Sequence, residues 1–115
     1  MNIFEKALME IQKDYTVRRI SATYAQIEFD ILFDDYNYIF IGVLFEDNKV
    51  LLTDMADYAE LCPWEDDNIH EVKAICQKYG VTFNNYHIER LYQSNDDIKK
   101  YLDCLLELKE KYVPN

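Results

Sequence analysis

Residues 27–52 read IEFDILFDDYNYIFIGVLFEDNKVLL. In the first seven, Ile27, Phe29, Ile31 and Phe33 alternate with Glu28, Asp30 and Leu32. That period of two belongs to a strand with one face in a core and an acidic face outside it. Asp34-Asp35-Tyr36-Asn37 is turn chemistry, and residues 38–45 are then apolar on both faces, as a central strand would be. Glu46-Asp47-Asn48-Lys49 makes a second tight turn before Val50, Leu51 and Leu52. Connections this short force antiparallel neighbours, so the stretch is a β-meander.

Outward from the meander, helical spacing takes over. Phe4, Ala7, Leu8 and Ile11 form one stripe behind a capping Asn2, and residues 15–22 turn β-like through Thr16, Val17 and Ile20. On the other side, Thr53 and Asp54 stand where a helix cap belongs, and residues 55–62 read as a short helix stopped by Pro63. Residues 63–68 are the expected exposed loop. Asn68 should cap a helix whose stripe is Ile69, Val72, Ile75, Cys76 and Tyr79, with Gly80 just past its end. Residues 81–83 and 86–93 flank Asn84-Asn85 and suggest a small second hairpin. Ser94 and Asp97 make an S-x-x-D start for a last helix carrying Ile98, Tyr101, Leu102, Leu105, Leu108 and Tyr112. The expected order is α-β-β-β-β-α-α-β-β-α. This is a single α+β domain over residues 1–115, with a meander of three to four strands and helices on one sheet face.

Half of the 115 residues are apolar, which argues against disorder despite a formal charge of −10. No apolar run approaches the roughly 20 residues of a membrane helix. Glu5 and Glu10 interrupt the N-terminal segment where a signal peptide is apolar. Cys62, Cys76 and Cys104 are odd in number and show no C-x-x-C spacing, so reduced thiols in the cytoplasm are expected, in a bacterial or phage-infected cell.

The charge is unevenly placed. Between Arg19 and Lys73 lie thirteen acids and one base, Lys49, while the flanks hold nine acids and eleven bases. Proportional sharing would put about ten acids and about 5.5 bases in that window, so the scarcity of Lys and Arg is the sharper signal. Such a block speaks of partners and solubility rather than of fold. Direct nucleic-acid binding needs basic residues, and Arg18, Arg19, Lys99, Lys100, Lys109 and Lys111 are interleaved with acids.

No catalytic signature competes with this block. The acidic turns lack the glycine of a calcium loop, and His70 and His87 stand alone. Asp54, Asp57 and Glu60 would share a helix face and could hold a hard cation weakly, as a metal-dependent hydrolase would need; a capping Asp with a solvated helix face is the simpler account. Cys76 lies on an apolar stripe, where a thiol is structural. Catalytic residues, metals and cofactors are therefore expected to be none.

The opening, Met1-Asn2-Ile3 with Glu10-Ile11 and Lys13-Asp14-Tyr15-Thr16-Val17, resembles the start of short acidic phage anti-CRISPR proteins. That resemblance implies a helix-plus-meander domain that covers the DNA-binding surface of an RNA-guided nuclease. The run from Tyr24 through Leu52-Thr53-Asp54, with Tyr79-Gly80-Val81 further on, is similar to a prokaryotic and phage family of unknown function with a strand-strand-strand-L-T-D-helix core. Met55-Ala56-Asp57 stands where that family has an early glycine.

These readings converge on a non-enzymatic inhibitor whose acidic surface mimics nucleic acid. It would block a protein partner with a basic, nucleic-acid-binding surface. The residues expected to meet that partner are Asp34, Asp35, Tyr36, Glu46, Asp47, Asp54, Asp57, Glu60, Glu65, Asp66 and Asp67. Tyr24, Tyr38, Tyr58 and Trp64 lie among the acids as aromatic anchors. The alternative is an interaction module, homodimeric through residues 38–45 or their neighbours, whose acidity serves only solubility.

Overall fold

Asn2 begins the first helix by accepting the Glu5 N–H on its side-chain oxygen at 2.8 Å. In the computed structural model, which describes residues 2–54, 68–84 and 87–112, that helix is α1 (Ile3–Ile11). It is followed by β1 (Thr16–Arg19), β2 (Tyr24–Leu32), β3 (Tyr38–Glu46), β4 (Lys49–Thr53), α2 (Ile69–Lys78), β5 (Thr82–Asn84), β6 (His87–Leu91) and α3 (Asn95–Tyr112). The α+β class, the N-terminal helix, the meander and the C-terminal helix all stand as the sequence implies. The expected helix at 55–62 and loop at 63–67 lie outside the described residues.

The sheet is six-stranded and antiparallel, in the order β1-β2-β3-β4-β6-β5. The second hairpin is thus not a separate unit. β6 joins the meander by pairing Leu51 with Leu91, Leu52 with Arg90 and Thr53 with Glu89. The apolar strand β3 has both edges taken, by β2 and β4, and offers no edge to a second copy. Its turn to β4 is of the primed kind that suits strand twist, with φ of 51° at Asp47 and 60° at Asn48.

Register decides which residues enter the core. Ala25, Ile27, Ile39, Ile41, Val43, Val50, Leu52 and Ile88 point to one face and are buried with residues from all three helices in one cluster. The opposite face carries Tyr24, Gln26, Glu28, Phe40, Leu44 and Leu51. Gly42 sits among them because a Cβ there would come within 2.8 Å of both the Thr53 carbonyl and the Tyr24 hydroxyl.

Two caps fix the helices to the sheet. α2 ends in a Schellman motif: Val81 N–H donates to the Cys76 carbonyl at 2.9 Å, Gly80 N–H to that of Gln77 at 3.1 Å, and Gly80 takes φ of 67°. At the start of α3, Asp97 reaches back to accept from Gln93 and Ser94 N–H at 2.8 and 3.0 Å. Its other oxygen accepts two bonds from Arg90, whose Nη1 also donates to the Tyr79 and Gly80 carbonyls. Arg90 therefore ties β6 to the ends of both helices. Asn68 departs from expectation: it precedes α2, but its side chain makes no capping bond.

Candidate functional site

The acidic residues do not gather at one point. The β2–β3 and β3–β4 turns sit at opposite ends of β3, because a meander reverses direction at each turn. From Tyr38 to Glu46 is eight residue steps, about 26 Å at a strand's rise of about 3.3 Å per residue. Asp34, Asp35 and Tyr36 are at one end and Glu46 and Asp47 at the other. The carboxylates on the outer face of β2, Glu28 opposite Phe40 and Asp30 beyond it, lie toward the Asp35 end. The exposed acids therefore form an uneven row, with no acid among residues 24–27 of β2 or 39–45 of β3.

Within that row the groups differ in availability. Asp34 is committed to its own turn: one oxygen accepts from Tyr36 N–H at 2.8 Å and Asn37 N–H at 2.7 Å, and the Asn37 amide reaches both oxygens. The bond from Tyr36, then those from Asn37, hold its carboxyl below the ordinary value. Glu28 pairs with Arg18 at 2.9 Å across the β1–β2 ladder, and Glu46 stands opposite Lys49. Asp30 and Asp35 are exposed and belong to none of the ion pairs among the described residues. Tyr36 is 91% exposed, more than any other large hydrophobic side chain described.

Asp54 is a correction. Expected on the partner-facing surface, it is fully buried, and its Oδ1 accepts the Ile88 N–H at 3.0 Å. A carboxylate used to satisfy a buried backbone donor cannot also meet a partner, so the charged places named above are not all exposed together. Asp57, Glu60, Glu65, Asp66 and Asp67 lie outside the described residues, as do Tyr58, Cys62 and Trp64.

What the sequence reading left out of the partner set is the groove at the Asp35 end of the row. On β2 four residue steps separate Glu28 from Leu32, but their partners on β3, Phe40 and Tyr38, are two steps apart. The surplus makes a bulge at Phe29, Asp30 and Ile31, which take no partner in the registers of β1 or β3. Bulges of this kind bend a strand and re-aim its side chains, and they recur beside functional sites. Here a groove of about 490 Å³ opens over it, lined by Thr16, Gln26, Glu28, Phe29, Asp30, Tyr38, Ile39 and Phe40. The lining combines four apolar or aromatic residues with two carboxylates, an amide and the Thr16 hydroxyl. The period-two placement of Glu28 and Asp30 was visible in the sequence; the bulge had no local signal.

Chemically the groove is a set of acceptors beside aromatic surface, with no nucleophile-and-base pair. No group of three His, Cys, Asp or Glu residues that could hold a metal occurs among the described residues. No helix among them is long and apolar enough to cross a membrane. Compared with known proteins, the chain matches no family model, no curated protein and no solved structure.

Proposed function

We propose that this protein is a non-enzymatic binding module that docks a partner protein through the acidic row of its open sheet face. The partner's surface is basic. Its natural ligand is a nucleic acid, and occupancy by this chain inhibits it. The observation that carries the reading is the row itself. Asp35, Asp30 and Glu28 stand toward one end of the sheet and Glu46 and Asp47 at the other, roughly 26 Å apart along β3 at the strand rise. Glu28 and Asp30, two residues apart, are neighbouring exposed carboxylates of β2. Exposed carboxylates suit the Arg and Lys side chains that otherwise hold phosphates. The exposed Tyr36 and Tyr38 supply aromatic anchoring at the Asp35 end. A bacterial defence nuclease is one partner of this chemistry, in line with the N-terminal resemblance to anti-CRISPR proteins.

Affinity capture from a bacterial lysate, run at low and high salt and with competing duplex DNA, tests this. The expected product is a basic nucleic-acid-binding protein that is released by salt and by DNA and is lost with D30K/D35K. Capture indifferent to salt, to DNA and to that double change would overturn the reading.

A further inference from the structure

We propose that the groove at the β2 bulge receives an extended, basic segment of the partner, which adds as a short strand along residues 29–32. This deepens the function proposed above and rests on it.

The geometry supplies an edge. β1 pairs with β2 only from Ala25 to Glu28, whereas β2 continues to Leu32. The chain ahead of Thr16 does not continue β1 alongside, because Tyr15 N–H turns back to the Ile11 carbonyl of α1 at 3.0 Å. Phe29, Asp30 and Ile31 therefore run past the end of β1, outside either register. Backbone N–H and C=O groups in such an overhang are a template for a further strand, and an incoming chain gains main-chain bonds there regardless of its sequence.

Charge selects the occupant. A strand laid against residues 29–32 projects alternate side chains onto the open sheet face. On that face stand Glu28 and Asp30, with Tyr38, 59% exposed, beside them across the groove. Arg or Lys at every second position would place a cationic head against Asp30, in none of the ion pairs among the described residues, and another beside Glu28, which Arg18 already holds at 2.9 Å, with stems against the tyrosine ring. Asp35 in the adjoining turn extends the acidic rim in the same direction. Acidic segments are repelled by the same groups, and an isolated nucleic-acid strand has no amide edge to offer.

The test uses the full chain, labelled with ¹⁵N, and three capped peptides. One alternates Arg and Val. The second has the same sequence with alternate backbone nitrogens methylated, so that one edge cannot donate. The third has Asp in place of Arg. The alternating Arg-Val peptide should shift the amide signals of Thr16, residues 29–32 and Tyr38, and should slow hydrogen exchange at residues 29–32. Methylation should weaken binding about tenfold or more, the cost of one or two main-chain bonds. The Asp peptide should not bind, and D30N should weaken the Arg peptide without changing the circular dichroism spectrum. Equal binding of the methylated peptide overturns strand addition but leaves the basic partner standing. Shifts centred on Glu46 and Asp47 overturn the choice of groove. If no peptide binds while a basic partner is still captured, this inference alone fails; if neither is bound, both fail.

Discussion

Replacing Asp97 by Asn should be among the most damaging isosteric changes this protein can suffer, although it removes no heavy-atom volume. The carboxylate accepts four bonds: two from Arg90 at 3.0 and 2.7 Å, and one each from Gln93 and Ser94 N–H at 2.8 and 3.0 Å. An amide keeps one acceptor and turns its NH₂ toward groups that are themselves donors, so one side of the arrangement is lost. Arg90 is left without its counter-charge at a site where the two side chains are 17% and 11% exposed. Removing one partner of a buried pair costs about 3–5 kcal/mol. Arg90 keeps its bonds to the Tyr79 and Gly80 carbonyls, which favours the lower end, about 2–4 kcal/mol. In a domain this size that lowers Tm by about 10–15 °C, measured by circular dichroism with urea titration for the free energy.

The surface pair Arg18–Glu28 is the control. There the side chains are 62% and 48% exposed, and E28Q should cost less than about 1 kcal/mol. The effect should also carry a pH signature. Burial would raise the Asp97 pKa, but the bonds from Gln93, Ser94 and Arg90 outweigh it and hold the group below its ordinary value. A carboxyl depressed in the folded state contributes stability that is fully present above its unfolded pKa of about 3.9 and is lost as pH falls through the folded value. The gap between wild type and D97N should therefore be constant near neutrality and shrink below about pH 4. A D97N cost below about 1 kcal/mol, or one equal to that of E28Q, would refute the assignment of Arg90–Asp97 as the clamp between β6 and the helix ends.

Two further outcomes follow from close packing. G42A should destabilise by about 1–3 kcal/mol in the same urea titration, because its methyl would press on the Thr53 carbonyl and the Tyr24 ring; an unchanged midpoint would mean that this face of the sheet yields freely. Cys76 and Cys104 are buried with their sulfurs 3.9 Å apart, and that contact, then burial, pushes the Cys104 thiol up. In a C62S background neither should react with a thiol reagent except at the rate of unfolding, and fast labelling of either would contradict their placement.

Local chemistry was legible from the sequence wherever a short-range rule acts alone. Period-two alternation gave β2, two tight turns gave the meander, and Gly80 and Asp97 marked helix ends that formed through the bonds their types supply. The inward stripes of α2 and α3 were legible for the same reason: helix geometry maps spacing onto a face without reference to the rest of the chain.

Long-range pairing was not. Nothing near His87–Leu91 says that it will join β4, since β pairing is chosen by whichever partner completes the core and the hydrogen-bonding edge. That choice buried Asp54 beneath the Ile88 amide and removed it from the surface its charge suggested. The acidic block was likewise plain in the sequence, but composition carries no direction. Only the meander's reversals separated Asp35 from Asp47, and only a two-residue surplus of β2 over β3 between Glu28 and Leu32 opened the groove at the Asp35 end. A bulge arises from the mismatch of two strands, so neither strand records it alone.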